Sequence, residues 1–158
     1  MKIHLITCGN LNSPEKAIFE EYNKRINLFP VLLKEINVKG DLEENFRIQK
    51  ESLEIMKYLS NFDLSKPDKN QLIILDIFGK NYDSVEFSHV LNGFLLNSIK
   101  NLIFIIGGAF GISEDLKKLS KMKISFGKAT WPHNLMKVML IEQIFRAQSI
   151  IFEKKYHK

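Results

Sequence analysis

The sequence predicts an α/β fold, a mainly parallel β-sheet flanked by helices, with residues 1–158 forming one domain. Three observations carry that prediction. Short apolar runs alternate with longer segments of helical period along the whole chain, the pattern of successive βαβ units. One run, Leu102-Ile-Phe-Ile-Ile106, is apolar without interruption, as suits a central parallel strand covered on both faces. Two runs end in glycine-bearing turns, Leu75-Asp-Ile-Phe-Gly79 and Ile106-Gly-Gly-Ala-Phe-Gly111. Adjacent strand ends of that kind leave a crevice at the carboxyl edge of a sheet, where open α/β folds bind ligands.

Taken in order, Lys2 to Thr7 reads as the first strand, closing at Cys8-Gly9. Pro14 stands where a helix begins, and Ala17, Ile18, Tyr22, Ile26 and Phe29 recur at helical spacing. Val31 to Val38 mixes aliphatic residues with Lys, Glu and Asn, as a less buried strand does. Leu42 to Leu59 is charged and helical in period, and the Ser, Pro, Asp and Lys of Asn61 to Asn70 make a loop. Gln71 to Asp76 is a strand, Ser84 to Ile99 a helix, and Leu102 to Ile106 the buried strand. Ser113 caps a short helix, Lys123 to Phe126 is a short strand, and Asn134 to Phe152 is the final helix.

Composition narrows the function classes. Hydrophobic residues make up 45% of the chain, enough for a core. No apolar run is long enough to span a bilayer, and the N-terminal run is too short for a signal peptide. Cys8 is the single cysteine, so no internal disulfide forms and a reducing cytoplasm is expected. The net charge of +5 is unevenly placed: residues 1–116 hold 13 Lys/Arg against 16 Asp/Glu, whereas residues 117–158 hold 10 against two. A positive field of that kind draws a polyanion and makes its binding salt-dependent.

The motifs concentrate in the same basic third. Gly107, Gly108 and Gly111 follow a strand and precede a helix, which suits close backbone approach to a nucleotide-like ligand. Their spacing is not that of a dinucleotide fingerprint, and the chain has neither a phosphate loop nor a nucleophile elbow. Four scattered histidines and one cysteine show no zinc-ligand spacing, so no metal is expected. Phe126 to Trp131 would form a third wall of the crevice, and His133, after Pro132, falls at the start of the last helix. That helix is apolar almost all round and therefore needs cover on more than one side, as a central helix or a subunit interface. Arg146 is the only charge between Gln143 and Phe152, and Glu142 stands one turn before it.

Leu75-Asp76…Gly79-Lys80, Ile106-Gly-Gly-x-x-Gly111, Pro132-His133…Glu142-Gln143-x-x-Arg146-Ala147 and the terminal Tyr156-His157 together resemble the RlmH-type ribosomal RNA methyltransferases of the SPOUT superfamily. The resemblance runs through the whole chain and is most specific over residues 72–158. It implies a C-terminal trefoil knot and a cytoplasmic homodimer. It also implies an enzyme that methylates N3 of a pseudouridine in 23S rRNA on the assembled ribosome, with S-adenosylmethionine as methyl donor. By position, the donor would contact Leu75, Gly107, Phe126, Gly127, Lys128, Ala129, Thr130 and Trp131. His133, Arg146, Tyr156 and His157 would be the catalytic set. Either histidine could accept the imide proton, Arg146 could hold charge on the carbonyl oxygens or a phosphate, and Tyr156 could stack on a base. Phe145 departs from the tyrosine usual in that family, so no hydroxyl acts at this position. Two other readings stay open on the residues alone: a non-catalytic basic RNA- or ribosome-binding module of the same fold, and a nucleotide-dependent oxidoreductase.

Overall fold

β1 (Lys2–Cys8), β2 (Val31–Ile36), β3 (Asn70–Asn81), β4 (Asn101–Ile106) and β5 (Met122–Ser125) form one sheet in the computed structural model, which describes residues 1–154 and Tyr156. The order is β2-β1-β4-β3-β5, and every pairing is parallel. β1 and β4 lie inside the sheet, and all of β1 after Lys2 is buried. β2, with its Lys and Glu, sits at an edge and alternates in exposure, as its mixed composition requires.

Among the described residues, five helices cover the two faces: α1 (Ser13–Arg25), α2 (Glu44–Leu59), α3 (Ser84–Leu96), α4 (Glu114–Leu119) and α5 (His133–Ile151). Successive side chains of a strand point to opposite faces, so β4 feeds two cores. Leu102 and Phe104 pack with Phe19 of α1, Phe87 and Leu91 of α3, and Leu140, Ile141 and Ile144 of α5. Ile103 and Ile105 pack with Ile55 and Leu59 of α2 and Leu116 of α4. Each such fully buried side chain contributes about 1.5–3 kcal/mol relative to exposure, which is why so apolar a strand is stable only between two layers.

Local signals set the helix ends. Asp83 accepts from the backbone N–H of Glu86 at 2.8 Å while the Glu86 carboxylate accepts from the N–H of Asp83 at 3.0 Å, a reciprocal cap that starts α3. Ser113 accepts from the N–H of Leu116 and starts α4. α5 is tied to α1 by Gln148, which is buried. Its side-chain oxygen accepts from the N–H groups of Asn27 and Leu28, each at 2.6 Å, and its amide donates to the carbonyl of Arg25 at 3.1 Å.

The third strand departs from its expected length. The sequence reading closes it at Asp76; the structure carries it to Asn81 with a register shift between Leu75 and Lys80. Asp76 to Gly79 leave the ladder, the Asp76 carboxylate accepting from the N–H of Phe78 at 2.9 Å, and both Leu75 and Lys80 pair with Ile124. Gly79 passes so close to β5 that a Cβ there would stand 2.5 Å from the backbone carbon of Ile124. Only a glycine allows the strand to resume.

Candidate functional site

Three chain segments converge at the carboxyl ends of β3, β4 and β5: the excursion after Leu75, the glycine turn after Ile106, and the loop from Phe126 into α5. They enclose a cavity of about 640 Å³, within the range of pockets that hold small ligands. Leu75, Gly107, Phe126, Gly127, Ala129, Thr130 and Trp131 line it, and His133 closes one side. Lys128, expected among them, is exposed and is not part of the lining. A residue within an irregular loop points outward while its neighbours point in, and the sequence does not encode which.

The turn itself requires its glycines. A Cβ on Gly107 would meet Ile112 at 2.6 Å and the carbonyl oxygen of Gly111 at 2.8 Å, so that residue is glycine because the turn folds tightly on itself. A Cβ on Gly108 would lie 2.7 Å from a carboxylate oxygen of Glu51. The N–H of Gly111 donates to the carbonyl of Gly108 at 3.0 Å, and Gly111 has φ +88°. Substituting Gly107 therefore disturbs the wall before it touches any ligand. The 126–131 loop is fastened internally: the indole N–H of Trp131 donates to the carbonyl of Phe126 at 3.2 Å, and the Ser125 hydroxyl to that of Gly127 at 2.7 Å.

Two opposite charges stand in the wall, Asp76 and Lys117, 3.6 Å apart. Lys117 was not among the expected residues; it arrives from the far side of the glycine turn, on α4, a placement no local pattern reveals. His133 is half-buried at the first turn of α5. Burial, and then the positive charge of Lys137, hold its imidazole below its ordinary pKa, so it is neutral near pH 7 with a nitrogen lone pair available.

Arg146 and Tyr156 are elsewhere. Thirteen residues of α5 separate Arg146 from His133, about 20 Å at 1.5 Å per residue. The Arg146 guanidinium donates to Glu142 through Nε at 2.9 Å and lies 2.8 Å from the same oxygen through Nη2, the helical pair its spacing allows. Tyr156 is docked, not splayed into solvent. Its ring meets Phe145 edge-on at 4.7 Å, with the Arg146 guanidinium 4.9 Å from its centroid. Its hydroxyl donates to Glu142 at 3.3 Å and lies 3.2 Å from the Tyr22 hydroxyl. Burial first, then these partners, push that phenol well above its ordinary pKa, so it stays a neutral donor. Edge-on packing against Phe145 and the contact with the Tyr22 hydroxyl hold Tyr156 at this place. His157 lies outside the described residues.

A second groove of about 630 Å³ runs beside this cluster, lined by Tyr22, Tyr82, Phe87, Met139, Glu142 and Gln143 among others. It shares Ile124 to Gly127 with the first cavity, so the end of β5 is a common wall. Among the described residues, no three His, Cys, Asp or Glu side chains are placed to hold a metal ion, and no helix is long and apolar enough to cross a membrane.

A family model described as "Predicted SPOUT methyltransferase" matches residues 1–157. The protein named ribosomal RNA large subunit methyltransferase H from Mycoplasmopsis synoviae is 39% identical over 158 residues, covering both chains in full. Its namesake from Streptococcus suis is 38% identical over 162 residues, again covering both, and that from Rhodopseudomonas palustris (strain BisA53) is 32% identical over 163 residues. Among solved structures, a probable methylase family protein from Haemophilus influenzae superposes with a TM-score of 0.53 at 11% identity, over 99% of this chain and 70% of that one, a likeness of fold. The five-stranded parallel sheet, the crevice at its carboxyl edge and the end-to-end match agree: this chain belongs to the SPOUT methyltransferase family.

Proposed function

We propose that this protein is an S-adenosylmethionine-dependent methyltransferase of large-subunit ribosomal RNA, acting on N3 of a 23S rRNA pseudouridine in the assembled ribosome. The crevice carries this reading: about 640 Å³ bounded by Leu75, Gly107 and the 126–131 loop, at the sheet edge where the resemblance puts the donor. The relatives' names supply the rRNA large subunit as substrate class. The resemblance adds the pseudouridine, the trefoil knot and the cytoplasmic setting.

The lining fits the donor in chemistry as well as size. Leu75, Ile106 and Met136 offer apolar surface, while Asp76 and Lys117 offer the two charges that a zwitterionic amino-acid end can meet. When bound, the donor supplies a methyl group on a sulfonium. In that chemistry the carbon–sulfur electron pair would stay with the thioether and the N3 lone pair would take the methyl group, with Leu75, Gly107 and the 126–131 loop holding the donor. The N3 proton must go to a base. His133, neutral and at the rim, accepts it. No metal is required.

The separation of His133 from Arg146 supports a homodimer. α5 presents one open stripe, Leu135, Val138, Met139, Glu142 and Arg146, beside exposed Ile18 of α1. A two-fold axis crossing the stripe beside Met139 sets two copies of α5 antiparallel. His133 lies six residues before Met139 and Arg146 seven after it. That symmetry brings each His133 opposite Arg146 of the partner subunit, so one cavity and one Arg–Tyr cluster form a site between chains. Equilibrium dialysis tests the donor assignment: labelled S-adenosylmethionine is retained and NAD is not. Retention of NAD would return the oxidoreductase, and retention of neither would leave an RNA-binding module.

A further inference from the structure

Among the described residues, Lys137 is the one lysine or arginine with no exposed surface, although it sits only one helical turn beyond His133. Removing an ammonium from water is costly unless it is hydrogen-bonded, so its partners define its task. Its Nζ donates to the carbonyl of Gly9 at 2.6 Å and to the side-chain oxygen of Asn134 at 3.1 Å. Gly9 has φ +72°, and a Cβ there would lie 3.3 Å from Nε2 of His133. The imidazole therefore rests directly on the Gly9 turn. That turn is fixed on its other side to β2: the N–H of Gly9 donates to the carbonyl of Ile36 at 2.8 Å, and the N–H of Leu11 to the Glu35 carboxylate at 2.6 Å.

We propose that Lys137 is the positioning residue for His133: its buried ammonium locks the Gly9 turn beneath the imidazole and sets a fixed positive charge one turn from it. This rests on His133 being the proton acceptor. The remaining ionisable groups around the pair do not oppose the effect at the ring. Burial pushes the Cys8 thiol up to about 12, so it is uncharged; Glu35 on β2 favours the charged form of Lys137; and Glu51 on α2 acts on Cys8 behind the turn. Burial pulls the lysine down from its ordinary value, and the two hydrogen bonds and Glu35 hold it charged against that pull. A cation at this place disfavours a second one on the neighbouring ring, so the imidazole keeps a free lone pair and meets substrate as a base.

Lys137→Gln retains a donor for the Gly9 carbonyl and removes the charge, whereas Lys137→Arg retains both. The readouts are the His133 titration by NMR on the free protein and the pH profile of methyl transfer to ribosomes. In Lys137→Gln the His133 midpoint rises toward its ordinary value of about 6.5, and the acid limb of the rate profile moves up with it. The rate below that limb falls about tenfold, less than the 10²–10⁴-fold worth of a general base because His133 itself remains. Donor affinity is unchanged, and Lys137→Arg restores the wild-type midpoint. A Lys137→Gln protein with the wild-type His133 midpoint, or equal loss of rate in the Gln and Arg variants, overturns the inference. If Lys137→Gln does not fold, the wild-type titration decides, and a midpoint at or above about 6.5 overturns it. Full activity in His133→Gln would refute the proton-acceptor reading alone, since the titration is read without turnover.

Discussion

At the scale of the residue, the glycines show how function and folding share positions. Gly79 and Gly107 were legible as turn glycines because each closes an apolar run. What each one avoids was not legible, since the colliding atoms belong to Ile124 in one case and Ile112 in the other. Gly79→Ala drives a methyl group into the β5 backbone and should cost about 3 kcal/mol, the upper part of the overpacking range. Gly93, inside α3, has nothing within 4 Å of its would-be Cβ. Gly93→Ala should therefore stabilise by about 0.5–1 kcal/mol through helix propensity. Urea unfolding of the two variants checks both signs, and equal effects would show that packing against β5 does not decide the matter. His133 was legible through its place after Pro132, whereas its dependence on Lys137 was hidden: in the sequence that lysine is one charge in an apolar helix.

At the scale of the element, α5 shows how far periodicity reaches. An all-round apolar helix announces cover on several sides, and most of that cover is the protomer itself. Leu140, Ile141 and Ile144 pack with α1, α3 and the sheet. Ile144 is fully buried there and is not available to a subunit interface. What remains open is the stripe through Leu135, Met139 and Arg146. Met139→Asp should dissociate the proposed dimer and leave a folded monomer, whereas Ile144→Asp should unfold the chain, by about 3 kcal/mol or more from burying an unpaired charge. Sedimentation together with circular dichroism separates these outcomes; a Met139→Asp dimer would move the interface elsewhere. Complementation goes further. If His133 and Arg146 of the partner subunit act together, mixing inactive His133→Gln with inactive Arg146→Ala should restore about a quarter of wild-type activity, because half the dimers are mixed and each holds one intact site. No restoration would place both residues' roles within a single chain.

At the scale of the whole molecule, element order and type were legible, because strand and helix periods differ and caps mark the ends. The order β2-β1-β4-β3-β5 was not, since periodicity within a segment says nothing about which strands become neighbours. The resumption of β3 after Gly79 was missed for the same reason: only pairing with β5 reveals it. The cavity was partly legible, as three glycine- or loop-bearing strand ends, but Lys117 entered it from α4 and Lys128 turned away. The cluster of Tyr22, Glu142, Arg146 and Tyr156 joins positions 134 residues apart, between Tyr22 and Tyr156, and no local pattern holds that information. Transfer of a labelled methyl group from S-adenosylmethionine to unmodified ribosomes, with the modified nucleotide mapped by mass spectrometry, decides whether this protein is the proposed methyltransferase. The expected result is one methyl group on N3 of a 23S rRNA pseudouridine, lost with His133→Gln; unlabelled rRNA in the presence of folded, donor-saturated protein would contradict the assignment.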